Sequence, residues 1–275
     1  MRGFEEIAAG VRVIALTTPT LPPATATNTL VVGRRRLAVI EPATPYAEEQ
    51  AALAELLAGL TGAGAEVAAI LVTHHHRDHT GFAAALRERT GAPIYAHAAT
   101  AERVDFTVDV ALADGAEIEL GDGFVISAMH TPGHAPGHLV YRELQTGLAY
   151  AGDMVAGVGT ILIDPEDDGD MIAYLASLER MAAAGPRALI PAHGPVQTDP
   201  QGLLQRYRAH RLMREARVLA AIEAAPRDLS AVLADAYADT PEALWPLAAR
   251  SLEAHLRKLV VEGRVRRMGA AVALC

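Results

Sequence analysis

Between residues 73 and 81 the chain reads Thr73-His74-His75-His76-Arg77-Asp78-His79-Thr80-Gly81. Residues two apart in an extended segment share a side, so His74 and His76 can aim at one point. A turn after them brings Asp78 and His79 to a neighbouring point. Imidazoles and a carboxylate this dense are expensive to bury alone, and a metal ion supplies the missing partner. The spacing is unlike H-E-x-x-H, in which two histidines sit one helical turn apart. More groups of the same kind follow, each beside turn-forming residues. They are His134 in Thr131-Pro132-Gly133-His134, Asp153 in Ala151-Gly152-Asp153, and His193 in Pro191-Ala192-His193-Gly194. The flanking Gly and Pro fix tight backbone and let it approach a metal closely. Nitrogen and oxygen donors suit zinc, with iron or manganese left open.

Such groups need a scaffold that delivers them from loops at strand ends. Segments 11–16, 28–33 and 36–41 predict short strands rich in β-branched residues, with a Pro/Thr-rich loop from Thr17 to Thr27 between the first two. Helical periodicity spans 47–60, and the apolar run 67–73 predicts a strand buried on both faces, directly before the histidine cluster. A helix at 80–90 and strands at 93–96, 116–120, 123–129, 138–142 and 147–151 follow, then a helix at 171–184 and a strand at 187–190. This interleaving predicts an α/β fold of layered sheets flanked by helices. Beyond residue 200 the pattern turns helical, at 201–224, 228–237 and 247–263, and closes with a hairpin-like stretch from Arg264 to Leu274. The expected boundary lies near Asp199-Pro200, giving a catalytic domain over 1–199 and a smaller helical domain over 200–275.

With 275 residues, 51% hydrophobic and 21% charged, the chain can bury a sizeable core, and collagen-like, low-complexity and disordered classes are excluded. No run approaches the roughly 18 apolar residues of a membrane helix. The N-terminal residues lack the apolar stretch of a secretory signal. Cys275 is the only cysteine, which excludes an intrachain disulfide or a thiolate metal site. A cytoplasmic enzyme without a membrane partner is expected. Net charge is −9, but unevenly placed: residues 1–200 carry 12 basic and 25 acidic groups, the remainder 12 and 8. That asymmetry hints at two modules with different surfaces, and a solvated basic helix packed beside an acidic domain accounts for it better than a nucleic-acid patch.

Other polar residues have plainer readings. His75 and Arg77 sit between the aligned histidines and are expected to point away. His97, His130 and His138 either orient a ligand or simply pack, while His210 and His255 lie on helical patterns and read as structural. Asp164-Pro165-Glu166-Asp167-Asp168-Gly169-Asp170 begins like an EF-hand loop, but its twelfth position is Leu175, where a bidentate Glu is required. It reads instead as a solvated acidic loop, with Asp170 capping the next helix.

The ordered series H-x-H-x-D-H, T-P-G-H, G-D and a late H-G resembles the metallo-β-lactamase superfamily. Within it the chain is most similar to the lactamase-β-like protein 2 group, through T-H-x-H-R-D-H-[ST]-G, A-G-D, P-x-H-G-P-V and the helical C-terminal part. The resemblance implies a four-layered αββα sandwich followed by a winged-helix-like domain. It implies two Zn(2+) per chain: His74, His76 and His134 at one, Asp78, His79 and His193 at the other, Asp153 bridging them. A hydroxide held between the metals would be the nucleophile, with Asp78 orienting it or shuttling its proton. One position departs from the pattern. The strand at 36–40 usually ends in Asp, whereas this chain has Glu41-Pro42, leaving open whether the longer carboxylate supports the metals.

The reaction is narrowed rather than fixed. The resemblance implies that true β-lactamases lack the bridging Asp, so Asp153 argues against them. The interval from Asp153 to His193 is too short for the inserted domain of the superfamily's nucleic-acid-processing nucleases. The glutathione-binding C-terminal pattern of glyoxalase II is not recognisable. Single-stranded RNA, cut by an endoribonuclease of the resembled group, is the leading substrate expectation. Arg206, Arg208, Arg211, Arg214 and Arg217 would offer a phosphate-tracking face, although the acidic catalytic part and scarce aromatics (4%) oppose it. A thioester or ester of a small-molecule acyl conjugate comes next, then a mononuclear iron persulfide dioxygenase. A nucleic-acid-binding regulator without activity is disfavoured by the intact ligand series. Winged-helix domains also serve as packing modules, so a homodimer stays open.

Overall fold

The computed structural model describes residues 3–223 and 225–275; residue 224, the expected end of the long helix, lies outside them. Seven strands form the first sheet in sequence order: β1 (Glu5–Ala8), β2 (Val11–Thr17), β3 (Ala26–Gly33), β4 (Arg36–Ile40), β5 (Glu66–Leu71), β6 (Ile94–His97) and β7 (Val110–Leu112). The β1–β4 pairs are antiparallel, and β4 to β7 pair in parallel. Parallel neighbours need crossovers. Here α1 (Ala47–Gly62), α2 (Arg77–Thr80), α3 (Ala83–Thr90) and α4 (Ala98–Ala101) provide them. The second sheet holds β8 (Glu117–Gly121), β9 (Phe124–His130), β10 (Leu139–Glu143), β11 (Leu148–Gly152) and β12 (Ala188–Pro191). They lie in reverse order, and β11 and β12 run parallel around α5 (Met171–Ala183).

Strand alternation builds four layers. Leu30, Val32, Ala38, Ile40, Ala69 and Leu71 face inward onto Ile126, Ala128, Tyr141, Tyr150 and Ile190 of the second sheet. Their neighbours Val31, Leu37, Val39 and Ile70 face outward onto Leu53, Leu57 and Leu86 of α1 and α3. On the far side Val140, Ala149 and Leu189 pack against Tyr174, Leu178, Leu203 and Leu204 of α5 and α6 (Pro200–Ala220). Because both faces of β3–β5 are covered, those strands read as near-continuous apolar runs.

α6 then enters a second core, where Val218 packs with Val232 of α7 (Leu229–Ala236) and Leu252, Leu256 and Leu259 of α8 (Trp245–Val261). A small sheet of β13 (Arg227–Asp228), β14 (Val265–Met268) and β15 (Ala271–Leu274) completes it. No helix among the described residues is long and apolar enough to cross a membrane.

Most expected elements form within two or three residues of their anticipated bounds. The helix anticipated over 80–90 begins only at Ala83, as α3, behind an unanticipated short α2, because Gly81 and Phe82 dock on the preceding loop. Their amides donate to the Ala43 and Pro42 carbonyls at 3.1 and 2.9 Å. β1, β7 and β13 were not anticipated from the sequence. Asp170 caps α5 as expected, accepting the Ala173 amide at 2.9 Å.

Candidate metal centre

Four short segments at the C-terminal ends of β5, β9, β11 and β12 bring the seven expected ligand residues into one place. His74 and His76 leave β5, and Asp78 and His79 occupy α2 immediately after. His134, Asp153 and His193 follow β9, β11 and β12. His74 Nε2 and His134 Nε2 lie 2.9 and 3.0 Å from His76 Nδ1. Asp78 Oδ2 lies 3.7 Å from both His79 Nε2 and His193 Nε2. Asp153 stands between these groups, with Oδ2 at 3.5 Å from His134 Nε2 and Oδ1 at 3.4 Å from His193 Nε2. Four triads have ligand atoms close enough to share a cation, and two of them are the expected ones, His74, His76 and His134, and Asp78, His79 and His193; the others are Glu41, His74 and His79, and His75, His76 and Asp167.

The far side of every imidazole is tied down. His74 Nδ1 pairs with Thr73 Oγ1 at 2.8 Å, and His76 Nε2 with Asp167 Oδ2 at 2.6 Å. His134 Nδ1 donates to the Leu162 carbonyl and His193 Nδ1 to the Ala26 carbonyl, both at 2.9 Å. His79 Nδ1 donates to Glu41, which answers the open question at that position: the longer carboxylate does reach the cluster. Such outer partners fix ring orientation and leave the inward nitrogen lone pair free for a cation. The donor set also carries a deficit that a cation would fill. His79 Nε2 and Asp153 Oδ1 are buried and without a hydrogen-bond partner. For both, the missing partner fits a metal.

Charge is distributed accordingly. Burial and the neighbouring histidines hold His74 well below the ordinary imidazole range, and burial and His76 lower His134 to about 4. Burial also opposes charge on His79, but Glu41, Asp78 and Asp153 outweigh it and raise the ring well above its usual value. Burial works against the charge of Asp153 too, yet His79 and His193 hold its carboxyl well below the usual range. Carboxylates crowd one end of the site and neutral imidazoles the other.

Local glycines make the approach feasible. Gly152 has φ +51, and a Cβ there would meet His138 Nε2 at 2.5 Å. That nitrogen accepts the Asp153 amide at 3.1 Å, so His138 orients the Asp153 loop. Gly133 (φ +132) lies so close to Tyr174 that a Cβ would meet its Cα at 2.3 Å. His97 and His130 instead stack on each other, ring centroids 4.1 Å apart. His75 turns to Asp167, and Arg77 is exposed. The acidic loop is less free than expected: Asp167 holds His76, Asp168 binds Arg103 and Asp164 binds Arg250.

The centre opens into a cleft of about 610 Å³ whose far wall is the C-terminal domain. Leu21, Val158, Ile161, Leu244 and Leu247 line it, together with His210, Arg211, Arg214 and Tyr237. His210, expected to be structural, therefore faces this cleft. The arginines of α6 form no open phosphate track. Arg206 pairs with Asp199 at 3.3 Å, Arg208 with Glu179 at 2.8 Å, and Arg214 and Arg217 with Asp239. Arg211 is buried. In the hairpin Arg264 and Arg267 are paired with Glu215 and Glu253.

Comparison with known proteins agrees with this architecture. Residues 22–193 match the Metallo-beta-lactamase superfamily, and residues 229–271 the Beta-lactamase associated winged helix domain. A Beta-lactamase-like protein 2 homolog of Drosophila melanogaster is 32% identical over 215 residues, 74% of this chain and 71% of that protein. A Hydroxyacylglutathione hydrolase of Cereibacter sphaeroides is 44% identical over 92 residues, about a third of each chain's length. The crystal structure of a metallo-beta-lactamase family protein from Thermus thermophilus superposes with a TM-score of 0.80 at 22% identity. It covers 98% of this chain and 100% of that one. The shared fold, the two matched domains and the Drosophila relative establish that the chain belongs to the metallo-beta-lactamase superfamily, as a hydrolase with a candidate His/Asp metal cluster and a winged-helix domain.

Proposed function

We propose that this protein is a binuclear zinc hydrolase that cleaves an ester or thioester of a small acyl conjugate. One observation carries the metal assignment: seven donors converge while the outward nitrogen of every imidazole is engaged elsewhere. His74, His76 and His134 would hold one zinc, Asp78, His79 and His193 the other, with Asp153 between them. Zinc bound there supplies Lewis acidity, lowering the pKa of a water and stabilising negative charge on the attacked oxygen. Asp78 accepts a hydrogen bond from the attacking water, aligns it, and carries its proton to the leaving group. Glu41 keeps the His79 ring in place, and His138 does the same for the Asp153 loop.

The ester or thioester reading ranks above RNA for a structural reason. Tracking a polyanion needs a run of free cations, and the α6 arginines are paired or buried. The cleft is instead of small-molecule size, about 610 Å³, with Leu21, Val158, Ile161, Leu244 and Leu247 among its lining, which suits a small acyl compound. The Cereibacter sphaeroides relative, named for hydrolysing hydroxyacylglutathione, supports the same class.

The test is a parallel panel on metal-replete protein: an acyl thioester, an ester, a β-lactam and labelled single-stranded RNA, with metal content measured on the same sample. About two zinc per chain and turnover of the thioester or ester are expected. One iron per chain would favour persulfide oxidation. RNA cleavage abolished in Asp78→Ala, with thioesters untouched, would restore the endoribonuclease reading.

A further inference from the structure

The winged-helix end of the cleft contains a guanidinium with no acid beside it. Arg211 on α6 lines the cleft yet is only 5% exposed. It donates to the Ile161 carbonyl and lies over the Tyr174 ring, 5.3 Å from its centroid, and its Nε has no partner. Among the described residues no carboxylate stands within ion-pair distance of it, although its neighbours Arg208 and Arg214 each have one. A guanidinium cannot shed its proton, so burial without a counter-charge is unfavourable.

A second unsatisfied group sits in the same wall. Tyr237, also 5% exposed, has a buried hydroxyl without a partner. Arg214 covers its ring at 4.5 Å and is itself fixed to the Ala236 carbonyl and Asp239 at 2.6 and 2.8 Å. Burial pushes the phenol up to about 12 against the pull of Arg214 and Arg211, so it stays an O–H donor near neutrality. His210 is held below its usual value by burial and by the same two arginines. Arg211 Nε and the Tyr237 hydroxyl, both buried and without acceptors, thus lie in the wall of one continuous cleft, whose other end is formed by His76, Asp78, His134, Asp153 and His193.

We propose that Arg211 and Tyr237, backed by Arg214, form a subsite for a terminal oxyanion, a carboxylate or phosphate carried by the substrate at the end remote from the cleaved bond. The proposal rests on the ester or thioester reading and narrows it to anionic conjugates. The guanidinium offers a two-pronged donor that suits either oxyanion, and Tyr237 adds a third hydrogen bond. Filling the subsite removes both unsatisfied donors and neutralises the buried charge.

The test pairs kinetics with binding. Thioesters with a carboxylate on the acyl end, or a phosphate on the thiol end, are compared with neutral analogues of equal length. The anionic compound that matches should show a KM about tenfold or more below its neutral analogue, and which of the two arms shows it identifies the oxyanion. Arg211→Met and Tyr237→Phe should erase that difference, so that the anionic compound and its neutral analogue show equal KM on the same variant, and Arg211→Lys should retain part of it. Independently, inorganic phosphate and suberate are titrated by fluorescence of Trp245, the single tryptophan, whose indole donates to the Thr240 carbonyl on the cleft wall at 3.1 Å. Binding should survive Asp78→Ala and be lost in Arg211→Met. If Arg211→Met does not fold, Tyr237→Phe decides. No binding by the wild-type protein, or binding and KM unaltered by these variants, overturns the subsite while leaving the hydrolase reading intact. Binding lost in the variants, with no ester or thioester turned over, leaves the subsite and removes the reaction.

Discussion

Glu41 links two segments of the metal centre through a single carboxylate: one oxygen accepts the Thr73 amide at 2.7 Å and the other accepts Nδ1–H of His79. Both Glu41 and His79 are fully buried, and Glu41 leaves β4 with φ +56. The end of β4 thereby holds the segment that begins at Thr73 in register with α2. Glu41→Gln keeps the shape but lowers the basicity felt by His79. Zinc affinity should fall about 10–100-fold, read by chelator competition, with the circular-dichroism spectrum unchanged. Stripping the metal from the wild-type protein with dipicolinate should abolish turnover and lower Tm, and added zinc should restore both.

Asp78 faces two histidines at equal distance, 3.7 Å from each, and lines the cleft. Its assigned proton transfer is worth about a hundred- to ten-thousandfold in rate. Asp78→Ala should lower kcat by that order on the best ester or thioester of the panel. A loss confined to KM would contradict the assigned role.

Gly152 has no room for a side chain, since His138 Nε2 occupies the space a Cβ would take. Gly152→Ala combines a left-handed backbone penalty with that collision and should destabilise by about 1–3 kcal/mol in urea unfolding. His138→Ala removes the acceptor of the Asp153 amide instead. It should weaken zinc binding more than it weakens the fold, and comparing the two variants separates backbone strain from loss of orientation.

The candidate donors could be singled out because their signals are local: a strand, turn-forming residues, then the His or Asp. The four layers were legible for a similar reason, since β3–β5 alternate between two cores and so read as unbroken apolar runs. What stayed hidden is non-local or carried by backbone. Asp167 reaches His76 across 91 residues, and its acidic loop reads as solvated when taken alone. The Ala26 and Leu162 carbonyls that orient His193 and His134 leave no trace in side-chain type. The α6 arginines read as an open stripe because their acids, Glu179 and Asp239 among them, come from other elements. The split between α2 and α3 likewise comes from docking on residues 42–45, not from helix propensity.

The same pairing logic gives a pH dependence in the C-terminal domain. Glu215 of α6 is buried and bound to Lys258, the only lysine, at 2.8 Å, with Arg264 at 3.3 Å and the buried His255 at 3.8 Å. Burial works against its charge, yet His255 and Lys258 outweigh it and bring the carboxyl down to about 2 from the usual 4.5. A carboxyl with a depressed folded-state value binds fewer protons folded than unfolded. Its stabilisation is therefore complete above about pH 4.5 and is lost as pH falls toward 2. Glu215→Gln should lower Tm at pH 7, because it leaves Lys258 with Glu262 alone. It should also flatten the decline in Tm between pH 5 and pH 3, on the order of the window set by that shift. Parallel Tm–pH curves for the two proteins would contradict a charged Glu215 in the folded state.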